Sequence, residues 1–379
     1  MKKILFITGT RADYGKIKSL IKRVDNSPLF EAFVYVSGMH LLEILGNTYK
    51  EVLKDGYKNI QIAFDQANTK IASYDLGNTI CSLTGYVRKI CPDMIVIHGD
   101  RIDALAGAVV GALNNIRVAH IEGGELSGTI DESIRHAISK FAHLHFVSNE
   151  DAKKRLIQLG ESIDNIFTIG SPDIDLMLSS NLPSITDAKS RYEIPFDKYG
   201  ILMYHPVTTE FNLIGENIKN VINAVIESKK NYIVIYPNND LGYEIILEEY
   251  KRLNSETKFK IYPSLRFEHF LTLLKNSDFI MGNSSAGIRE ASIYGIPAID
   301  IGNRQNGRYN TATSPNIQHC PDDFFEISEA IRNVEKYRIP SRVFGNGNST
   351  ELFYKILCDG KIWDTKLQKQ FHELTWGMA

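Results

Sequence analysis

The chain has 379 residues, of which 43% are hydrophobic and 23% charged, a balance typical of a protein folded in two or three domains. A formal net charge of −2 excludes the strongly basic surface of a general nucleic-acid-binding or anionic-membrane-binding protein. No stretch has the roughly 20 apolar residues of a membrane span, and Gly9 interrupts the apolar start before it reaches signal-peptide length. We expect a cytoplasmic protein with reduced thiols, because its cysteines, Cys81, Cys91, Cys320 and Cys358, have no metal-binding or disulfide spacing.

Short apolar runs alternate with helical patterns along the first half of the chain. Buried strands are predicted at "KILFIT", "AFVYVSG", "DMIVIHGD", "RVAHIEGG" and "LHFVSN". The helix after the first strand carries one apolar face, formed by Ile17, Leu20, Ile21 and Val24. This alternation predicts a doubly wound parallel α/β domain over residues 1–175.

A second series of strands follows the stretch "SSNLPSITDAKS". Its members are "GILMYHPVTT", "NYIVIYPNND", "FKIYPS", "DFIMGNSSAG" and "PAIDIGNRQ", which predict a second Rossmann-like domain over residues 176–360. The last stretch, 361–379, contains Trp363 and Trp376 and is predicted to be a helix that packs back on the first domain. The predicted fold is therefore α/β, with two Rossmann-like domains facing each other across a ligand cleft. Ligands in such sheets bind at the carboxyl ends of strands, so polar residues that follow strands are candidate site residues.

One candidate anion site is "GTRADYGK", where a strand ends in a glycine turn and a helix begins near Asp13. A helix N-terminus presents unpaired N–H groups and a positive dipole, and Arg11 and Lys16 add charge. The stretch lacks the G-x-G-x-x-G fingerprint of dinucleotide sites. An ordinary strand-to-helix turn is the alternative.

A second candidate anion site is "MGNSSAGIREA" in the second half of the chain. Ser284 and Ser285 precede a helix and can hold a diphosphate, while Glu290 can accept hydrogen bonds from ribose hydroxyls. Arg304 follows the next predicted strand and adds a cation. The alternative is a simple Asn/Ser helix cap with an exposed glutamate.

Acidic residues end two neighbouring predicted strands of the first domain. Asp100 lies in "HGD", Glu122 lies in "HIEGGE", and Asp131 opens the following helix. These positions put carboxylates on the rim where ligands bind. Two carboxylates on one rim are what acid/base chemistry on a sugar requires.

The helix that carries Asp131 has a predicted start. Thr129 and Glu132 form a capping-box pattern that would begin the helix at Ile130. Arg135, four residues after Asp131, would share its face. A solvated surface salt bridge between these two is the alternative to a role in the site.

Histidines and a second acidic pattern leave further alternatives open. "GDRID" has the Gly-Asp-x-x-Asp pattern of metal-dependent phosphoesterases, but the other ligand motifs of those enzymes are missing. His143 and His145, in "AHLHF", are interpreted as strand or core histidines. His205, in "YHPVTTE", can donate to a phosphate or a leaving oxygen, with a structural histidine as the alternative.

Nine stretches, spread in order over almost the whole chain, carry a family resemblance. They are "GTRADYGK", "SGMH", "HGDRIDALAGA", "HIEGGELSGTIDESIRHAISKFAHLHF", "HPVTTE", "YPNND", "RFEHF", "GNSSAGIREA" and "GNRQNGR". Together they closely resemble the hydrolysing UDP-N-acetylglucosamine 2-epimerases, which open bacterial sialic-acid biosynthesis. The related non-hydrolysing epimerases carry a Gln-His-Arg-Glu-Met stretch where this chain has Gly38, Met39 and His40.

The resemblance implies a GT-B-type fold closing over a UDP-sugar, without a metal or organic cofactor. The catalytic acids of the family map onto Asp100, Glu122 and Asp131. The residues that the resemblance places around UDP are Arg11, Lys16, His205, Asn239, Arg266, Ser284, Ser285, Glu290 and Arg304. His40 and Arg135 are expected to support the sugar site. A homodimer or homotetramer is also implied, with no nucleic-acid or membrane partner.

The implied reaction converts UDP-N-acetylglucosamine and water to N-acetylmannosamine and UDP, through elimination to 2-acetamidoglucal and hydration. The same reaction on UDP-2,4-diacetamido-2,4,6-trideoxyglucose is an alternative. So is a GT-B glycosyltransferase that uses an acceptor sugar in place of water. A nucleotide-sugar-binding regulator is the alternative that is not an enzyme.

Overall fold

The computed structural model describes residues 1–64, 71–127 and 130–373. The chain divides into two compact units. The first comprises Met1–Glu125, Asp131–Leu178 and the chain from Phe344 onward; the second comprises Ser179–Val343 with Leu126–Ile130. Every strand pair in both sheets is parallel, so the predicted α/β class with two Rossmann-like domains is confirmed.

The first unit is built on one parallel sheet, ordered β3-β2-β1-β4-β5-β6-β7. Its strands are β1 (Lys2–Thr8), β2 (Phe30–Val36), β3 (Ile60–Ile62), β4 (Met94–His98), β5 (Arg117–Ile121), β6 (Leu144–Val147) and β7 (Ile166–Thr168). Its α-helices are α1 (Arg11–Asp25), α2 (Tyr49–Lys54), α3 (Ala72–Ile90), α4 (Ile102–Leu113), α5 (Ile130–Phe141), α6 (Glu150–Gln158), α7 (Asp173–Met177) and, near the end of the chain, α15 (Ser349–Cys358). Short 3-10 helices cover Gly38–Leu41, Glu43–Leu45, Ile163–Asn165 and Gly360–Asp364.

The second unit has a sheet ordered β10-β9-β8-β11-β12-β13. Its strands are β8 (Gly200–Met203), β9 (Tyr232–Ile235), β10 (Phe259–Tyr262), β11 (Phe279–Gly282), β12 (Ala298–Ile301) and β13 (Ile317–Cys320). Its α-helices are α8 (Ile185–Arg191), α9 (Ile214–Glu227), α10 (Tyr243–Tyr250), α11 (Phe267–Lys275), α12 (Ser285–Ile288), α13 (Glu290–Tyr294) and α14 (Phe324–Asn333). Its 3-10 helices cover Thr208–Leu213, Lys251–Ser255 and Val334–Tyr337.

The first sheet is covered on both faces, and β1 illustrates why its buried residues, Ile4–Ile7, are all apolar. Ile4 and Phe6 pack in one hydrophobic cluster, while Leu5 and Ile7 pack in another. Successive side chains of a strand point to opposite faces, so a strand buried on both sides cannot alternate with polar residues. None of the described helices combines the length and apolar character that crossing a membrane requires.

The boundaries between the units differ from the predicted ones, which lie between residues 175 and 176 and after residue 360. In the structure the chain passes to the second unit after Leu178 and returns to the first unit at Phe344. Helix α15 belongs to the first unit, because Phe353 and Leu357 lie in the core beside β1. Asp175 fixes the start of this helix by accepting from the backbone N–H groups of Ser349, at 2.9 Å, and Thr350, at 2.6 Å. These contacts join residues more than 170 positions apart, which local patterns in the sequence do not reveal.

The predicted C-terminal helix over 361–379 is wrong in its described part. After the 3-10 turn Gly360–Asp364, residues 365–373 form no helix, and Trp376 lies outside the described residues. The carbonyl groups of this segment are satisfied by side chains rather than by helix hydrogen bonds. Arg117 donates to the carbonyls of Trp363 and Thr365, and a nitrogen of His143 lies 2.8 Å from the carbonyl oxygen of Leu367.

Ionic contacts around the buried Glu161 carboxylate attach this final segment to the rest of the first unit. Glu161 accepts hydrogen bonds from Lys369 and, at 2.7 Å, from Lys140, and it lies 3.1 Å from His145 Nε2. Burial alone would raise the pKa of Glu161, but His145 and the two lysines lower it to about 2. The carboxylate therefore stabilises the folded state fully above its unfolded pKa of about 4.5, and this contribution is lost as pH falls through about 2.

Replacing Glu161 by glutamine is expected to lower the free energy of unfolding by about 3 kcal/mol at pH 7, because the change removes a buried carboxylate that Lys369, Lys140 and His145 contact in the folded state. Urea unfolding between pH 2 and pH 7 measures this, with wild type and variant converging toward pH 2. Asp151→Asn, in an exposed pair with Lys154, is the matched control and should change stability by under about 0.5 kcal/mol. Equal stability of Glu161→Gln and wild type at pH 7 would contradict the account of this cluster.

Candidate active site

Each sheet has one point where the strand order reverses direction, and several of the candidate residues lie in the turns at or next to it. In the first unit β1 lies between β2 and β4; in the second, β8 lies between β9 and β11. Parallel sheets of this kind bind ligands beyond the carboxyl ends of the strands at the reversal point. The turns that follow β1 and β4, and those that follow β8 and β11, are therefore the places to examine.

The Glu122 carboxylate is held at both of its oxygens. Glu122 follows β5 directly, is 3% exposed and has a φ of 63°, in the left-handed region that non-glycine residues rarely adopt. Its Oε1 accepts from the Ser171 hydroxyl, and its Oε2 lies 3.0 Å from His98 Nε2. Such backbone strain persists where surrounding contacts fix the residue, as these do.

Arg135 connects two of the predicted acids. Its Nη2 donates to the Asp100 carboxylate, and its Nη1 donates to the backbone carbonyl of Glu122 at 2.6 Å. The guanidinium is 4% exposed, so it is not part of a solvated surface pair. Asp131, 9% exposed, occupies the second position of α5, and the helix begins at Ile130 as predicted. The proposed cap, Thr129, lies outside the described residues.

The two aspartates of "GDRID" have different environments. Asp100 pairs with Arg135, whereas Asp103 is buried and accepts from the Ser37 hydroxyl at 2.6 Å. A Cβ added to Gly9 would lie 2.1 Å from Asp103 Oδ2, so this carboxyl fills the space against the turn after β1. Burial raises the pKa of the Asp103 carboxyl. Within residues 1–64, 71–127 and 130–373, no cluster of three or more His, Cys, Asp or Glu side chains has the arrangement of a metal site.

The cations predicted near UDP in the first unit are both in ion pairs. Arg11 donates through Nε and Nη2 to the Glu51 carboxylate, with a Nε to Oε2 distance of 3.0 Å. Lys16 is buried, and its Nζ lies 3.5 Å from Asp173 Oδ2. Both side chains thus lie at the carboxyl edge of the sheet, held by acids of α2 and α7.

His40, predicted to support the sugar site, is entirely buried. Its Nε2 lies 2.9 Å from the Thr8 hydroxyl, and its Nδ1 lies 2.7 Å from the Thr48 hydroxyl. Burial lowers the pKa of His40 to about 4, so the ring is neutral. In this position His40 supports the turns after β1 and β2.

Asn283 organises the turns at the reversal point of the second unit. Its Oδ1 accepts from the backbone N–H of His205 at 2.7 Å, and its Nδ2 donates to the carbonyl of His205 at 2.9 Å. The Asn283 carbonyl accepts from Arg304 Nη1 at 3.2 Å and from Gln305 Nε2 at 2.7 Å. One buried asparagine therefore ties together the turns after β8, β11 and β12.

The imidazole of His205 has a defined tautomer. Its Nδ1 accepts from the backbone N–H of Asn238 at 3.1 Å. In the neutral ring the proton then sits on Nε2, which makes Nε2 a hydrogen-bond donor. The Asn238 side chain donates to Asp240 at 2.6 Å, and Asn239, predicted near UDP, is the next residue in the turn after β9 and is partly exposed.

Ser284, Ser285 and Glu290 lie on two consecutive short helices. Ser284 is the N-cap of α12, Ser285 is its first residue, and both side chains are partly exposed. Glu290 begins α13 and is 4% exposed. Arg266 lies further along the sheet, after the edge strand β10, where its Nε is 3.4 Å from Glu268 Oε2.

Gly282 is required where β8 and β11 end. Its φ is +125°, and an added Cβ would lie 2.0 Å from the carbonyl oxygen of Met203. Gly282→Ala is expected to lower the free energy of unfolding by about 3 kcal/mol, from backbone strain and overpacking. Urea unfolding of the wild type and the variant measures this loss of stability.

Gly287→Ala is the matched control for this substitution. A Cβ there would meet only Ala298 Cβ at 3.5 Å and Ile280 Cγ2 at 3.9 Å, which are ordinary contacts. Because alanine favours a helix, this change should alter stability by under about 1 kcal/mol. Equal effects of the two substitutions would refute the role given to Gly282.

Several residues that shape these turns were not selected from the sequence. Ser171 and His98 contact Glu122, Asn283 contacts the backbone of His205, and Gln305 contacts the carbonyl of Asn283. Asn283 and His98 did stand inside quoted motifs, directly after or at the end of predicted strands. Ser171 had no such signal, because its partner lies 49 positions away.

Known proteins resemble this chain over most of its length. A family model described as UDP-N-acetylglucosamine 2-epimerase matches residues 22–358. The UDP-N-acetylglucosamine 2-epimerase of Neisseria meningitidis is 45% identical over 376 residues, which cover 99% of this chain and 100% of that protein. The hydrolysing UDP-N,N'-diacetylbacillosamine 2-epimerase of Legionella pneumophila is 34% identical, with 94% of this chain and 96% of that protein covered.

A solved structure has the same fold. It is the UDP-N-acetylglucosamine 2-epimerase of Methanocaldococcus jannaschii in complex with UDP-N-acetylglucosamine and UDP. The TM-score is 0.81 at 24% sequence identity, with 94% of this chain and 100% of that chain covered. The predicted GT-B-type fold class is thereby confirmed.

Proposed function

Because the chain belongs to the UDP-N-acetylglucosamine 2-epimerase family, we propose that it is a hydrolysing epimerase that converts UDP-N-acetylglucosamine and water to N-acetylmannosamine and UDP. The observation that carries the proposal is the pair of fixed carboxylates, Asp100 and Glu122, connected by the buried Arg135. The family match over residues 22–358 supports a nucleotide sugar as the substrate. N-acetylmannosamine is the free sugar from which sialic-acid biosynthesis proceeds, and the protein is assigned to that pathway.

The reaction requires groups that stabilise the departing UDP anion and a base that removes the C2 proton. In the first step the C1–O bond breaks, UDP leaves with the bonding electrons, and the C2 proton passes to a carboxylate. The product of this step is 2-acetamidoglucal, with a C1–C2 double bond. In the second step water adds its oxygen to C1, and a proton reaches C2 from the opposite face, which inverts C2 and releases N-acetylmannosamine.

The first unit is suited to the proton transfers. The C2–H bond is not acidic, so its proton becomes removable only as UDP departure gives C1 oxocarbenium character. Asp100 beside Arg135, and Glu122 beside His98, are anions that stabilise this positive charge and can accept a proton. Asp131, at the start of α5, is proposed as the third acid.

The second unit is suited to hold the leaving group. His205 donates from Nε2, Ser284 and Ser285 lie at the start of α12, and Arg304 is anchored on the Asn283 carbonyl. We assign these groups to the diphosphate and Glu290 to the ribose hydroxyls, and the family resemblance adds Arg11, Lys16, Asn239 and Arg266. Donors and cations at the phosphates stabilise the charge that develops as UDP departs.

Product analysis tests the proposed reaction. The protein is incubated with UDP-N-acetylglucosamine, and the products are followed by phosphorus and proton NMR. Free UDP and N-acetylmannosamine in equal amounts are expected. UDP-N-acetylmannosamine without free UDP would show a non-hydrolysing epimerase, and binding without product would show a regulator; either result overturns the proposal.

A second candidate substrate is UDP-2,4-diacetamido-2,4,6-trideoxyglucose, which differs at C4 and C6 of the sugar. The 34% identity to the Legionella pneumophila enzyme favours testing it, although the 45% identity to the Neisseria meningitidis enzyme favours N-acetylglucosamine. Measuring kcat/KM side by side on both sugars decides between them. We expect the value for UDP-N-acetylglucosamine to be higher by at least about tenfold, since buried polar groups discriminate strongly between such sugars.

We further propose a cytoplasmic location and a homodimer or homotetramer. The cytoplasmic assignment is supported by the sequence composition and by the nucleotide-sugar substrate. The oligomer is an implication of the family resemblance, and sedimentation of the full chain tests it. A monomer over the whole working concentration range would contradict it.

A further inference from the structure

A line of charged side chains runs behind Glu122 in the first unit. His98, the last residue of β4, lies with Nε2 at 3.0 Å from Glu122 Oε2 and Nδ1 at 3.4 Å from Asp13 Oδ1. Asp13 lies in the first turn of α1, and its backbone N–H donates to the Thr10 hydroxyl that caps the helix. Three elements that are separate in sequence, α1, β4 and the turn after β5, thus meet at one imidazole.

The position of His98 favours its charged form. The ring is 6% exposed, and burial alone would lower the pKa of His98, but the Glu122 and Asp13 carboxylates outweigh this and raise it to about 9. Other histidines of the same sheet behave differently: His120, at 2.8 Å from the carbonyl oxygen of Gly99, has a pKa lowered to about 3 by burial. A carboxylate on each side therefore distinguishes His98 from a histidine that only fills the core.

Glu122 receives donors on both carboxylate oxygens. Ser171, which follows β7, donates to Oε1, and His98 holds Oε2. With both oxygens held, the side chain cannot rotate without breaking a buried hydrogen bond, and a cationic neighbour favours the anion. Hydrogen bonds from a second layer of residues fix the geometry of a functional group in the same way elsewhere.

We propose that His98, held between Asp13 and Glu122, is a positioning residue that keeps the Glu122 carboxylate ionised and in one orientation for the chemistry at C2. Asp13 acts through His98, and Ser171 completes the support from the other oxygen. The inference rests on the proposed function, in which Glu122 is one of the acids. It extends that function to three residues that need not touch the substrate.

The test is a double-mutant cycle on the full-length protein with UDP-N-acetylglucosamine. His98→Gln is expected to lower kcat by about 100-fold and Asp13→Asn by about tenfold, within the range of acid/base contributions. KM and UDP affinity should change by less than about threefold, because the loss concerns the reaction step. In the His98→Gln background, Asp13→Asn should cause less than about a twofold further loss, since Asp13 acts only through His98.

His136→Gln is the matched control. His136 Nε2 also lies 3.0 Å from a glutamate, Glu132, but this pair is partly exposed to solvent on α5. Its kcat should stay within about twofold of wild type, as expected of a surface pair. If His98→Gln does not fold, Asp13→Asn and Ser171→Ala carry the test, and each should lower kcat with KM unchanged.

The outcomes separate this inference from the proposed function. Wild-type protein that releases no UDP and N-acetylmannosamine overturns the proposed function and this inference with it. Wild-type turnover with an unchanged kcat in Asp13→Asn and Ser171→Ala overturns the inference alone. So do losses in His98→Gln and Asp13→Asn that multiply in the double variant, because independent effects would mean that Asp13 does not act through His98.

Discussion

Replacement of Glu122 by glutamine is expected to lower kcat by at least about 1000-fold, because the variant can neither accept the C2 proton nor stabilise positive charge at C1. The amide keeps the size of the side chain, so the turn after β5 should persist. UDP affinity should stay within about threefold of wild type, since the change removes an interaction of the reaction step. Steady-state kinetics and calorimetric UDP titration measure the two quantities. Asp100→Asn and Asp131→Asn are expected to behave in the same way.

Glu125→Gln is the matched control for this series. Glu125 lies three residues after Glu122, is equally buried and accepts from a serine, Ser148, as Glu122 accepts from Ser171. It has no part in the proposed chemistry, so kcat should fall by less than about fivefold, as for a change that leaves the acids in place. A wild-type rate in any of the three acid variants would remove that residue from the mechanism. A loss in Glu125→Gln as large as in Glu122→Gln would show that the effect is not specific.

Replacement of Asn283 by alanine is expected to weaken UDP binding by at least about 100-fold, or roughly 2.7 kcal/mol. The change removes both hydrogen bonds to the backbone of His205. The partly buried N–H and carbonyl of His205 then lack those partners, at a cost of about 1–3 kcal/mol for each of the two groups. His205 then loses the orientation from which Nε2 donates. Isothermal titration with UDP and urea unfolding measure the affinity and the stability.

Asn333→Ala is the control for the second unit. Asn333 is exposed on α14, where its side chain donates to the carbonyl of Glu329. UDP affinity should not change by more than about twofold, because Asn333 is distant in sequence from Asn283 and its side chain bonds within its own helix. Unchanged UDP affinity in a folded Asn283→Ala variant would separate Asn283 from the nucleotide site.

The strands and their order of appearance were predictable, and the reason is visible in β1 and β4. The segments Ile4–Ile7 of β1 and Met94–Ile97 of β4 are buried on both faces and are therefore continuous apolar runs, and each strand ends at a turn with glycine or polar residues. Candidate acids could be found because the carboxyl ends of parallel strands meet at one edge. Asp100 and Glu122 follow neighbouring strands, and the structure brings both to Arg135.

What could not be predicted depends on contacts that are distant in sequence. The i+4 spacing suggested a partner for Arg135 in Asp131, whereas its guanidinium donates to Asp100, 35 positions away. The final segment has a helical pattern, but in its described part Arg117 donates to the carbonyls of Trp363, 246 positions away, and Thr365, and residues 365–373 do not continue the 3-10 turn as a helix. The residue spacing within one segment of the sequence carries no information about such pairings.

The histidines illustrate the same limit. His98 and His120 both stand within or at the end of apolar strands, so their sequence contexts are alike. Only the neighbours differ: His98 meets two carboxylates, whereas His120 meets the backbone of Gly99. A charged and a neutral histidine therefore arise from the same local pattern.

In the proposed mechanism the protein removes the C2 proton of UDP-N-acetylglucosamine and replaces it with one from solvent. Turnover in deuterated water, followed by NMR and mass spectrometry of the released sugar, tests this most directly. We expect free UDP and N-acetylmannosamine that carries one deuterium at C2. Released sugar that retains the original proton at C2, or that keeps the configuration of N-acetylglucosamine, would contradict it.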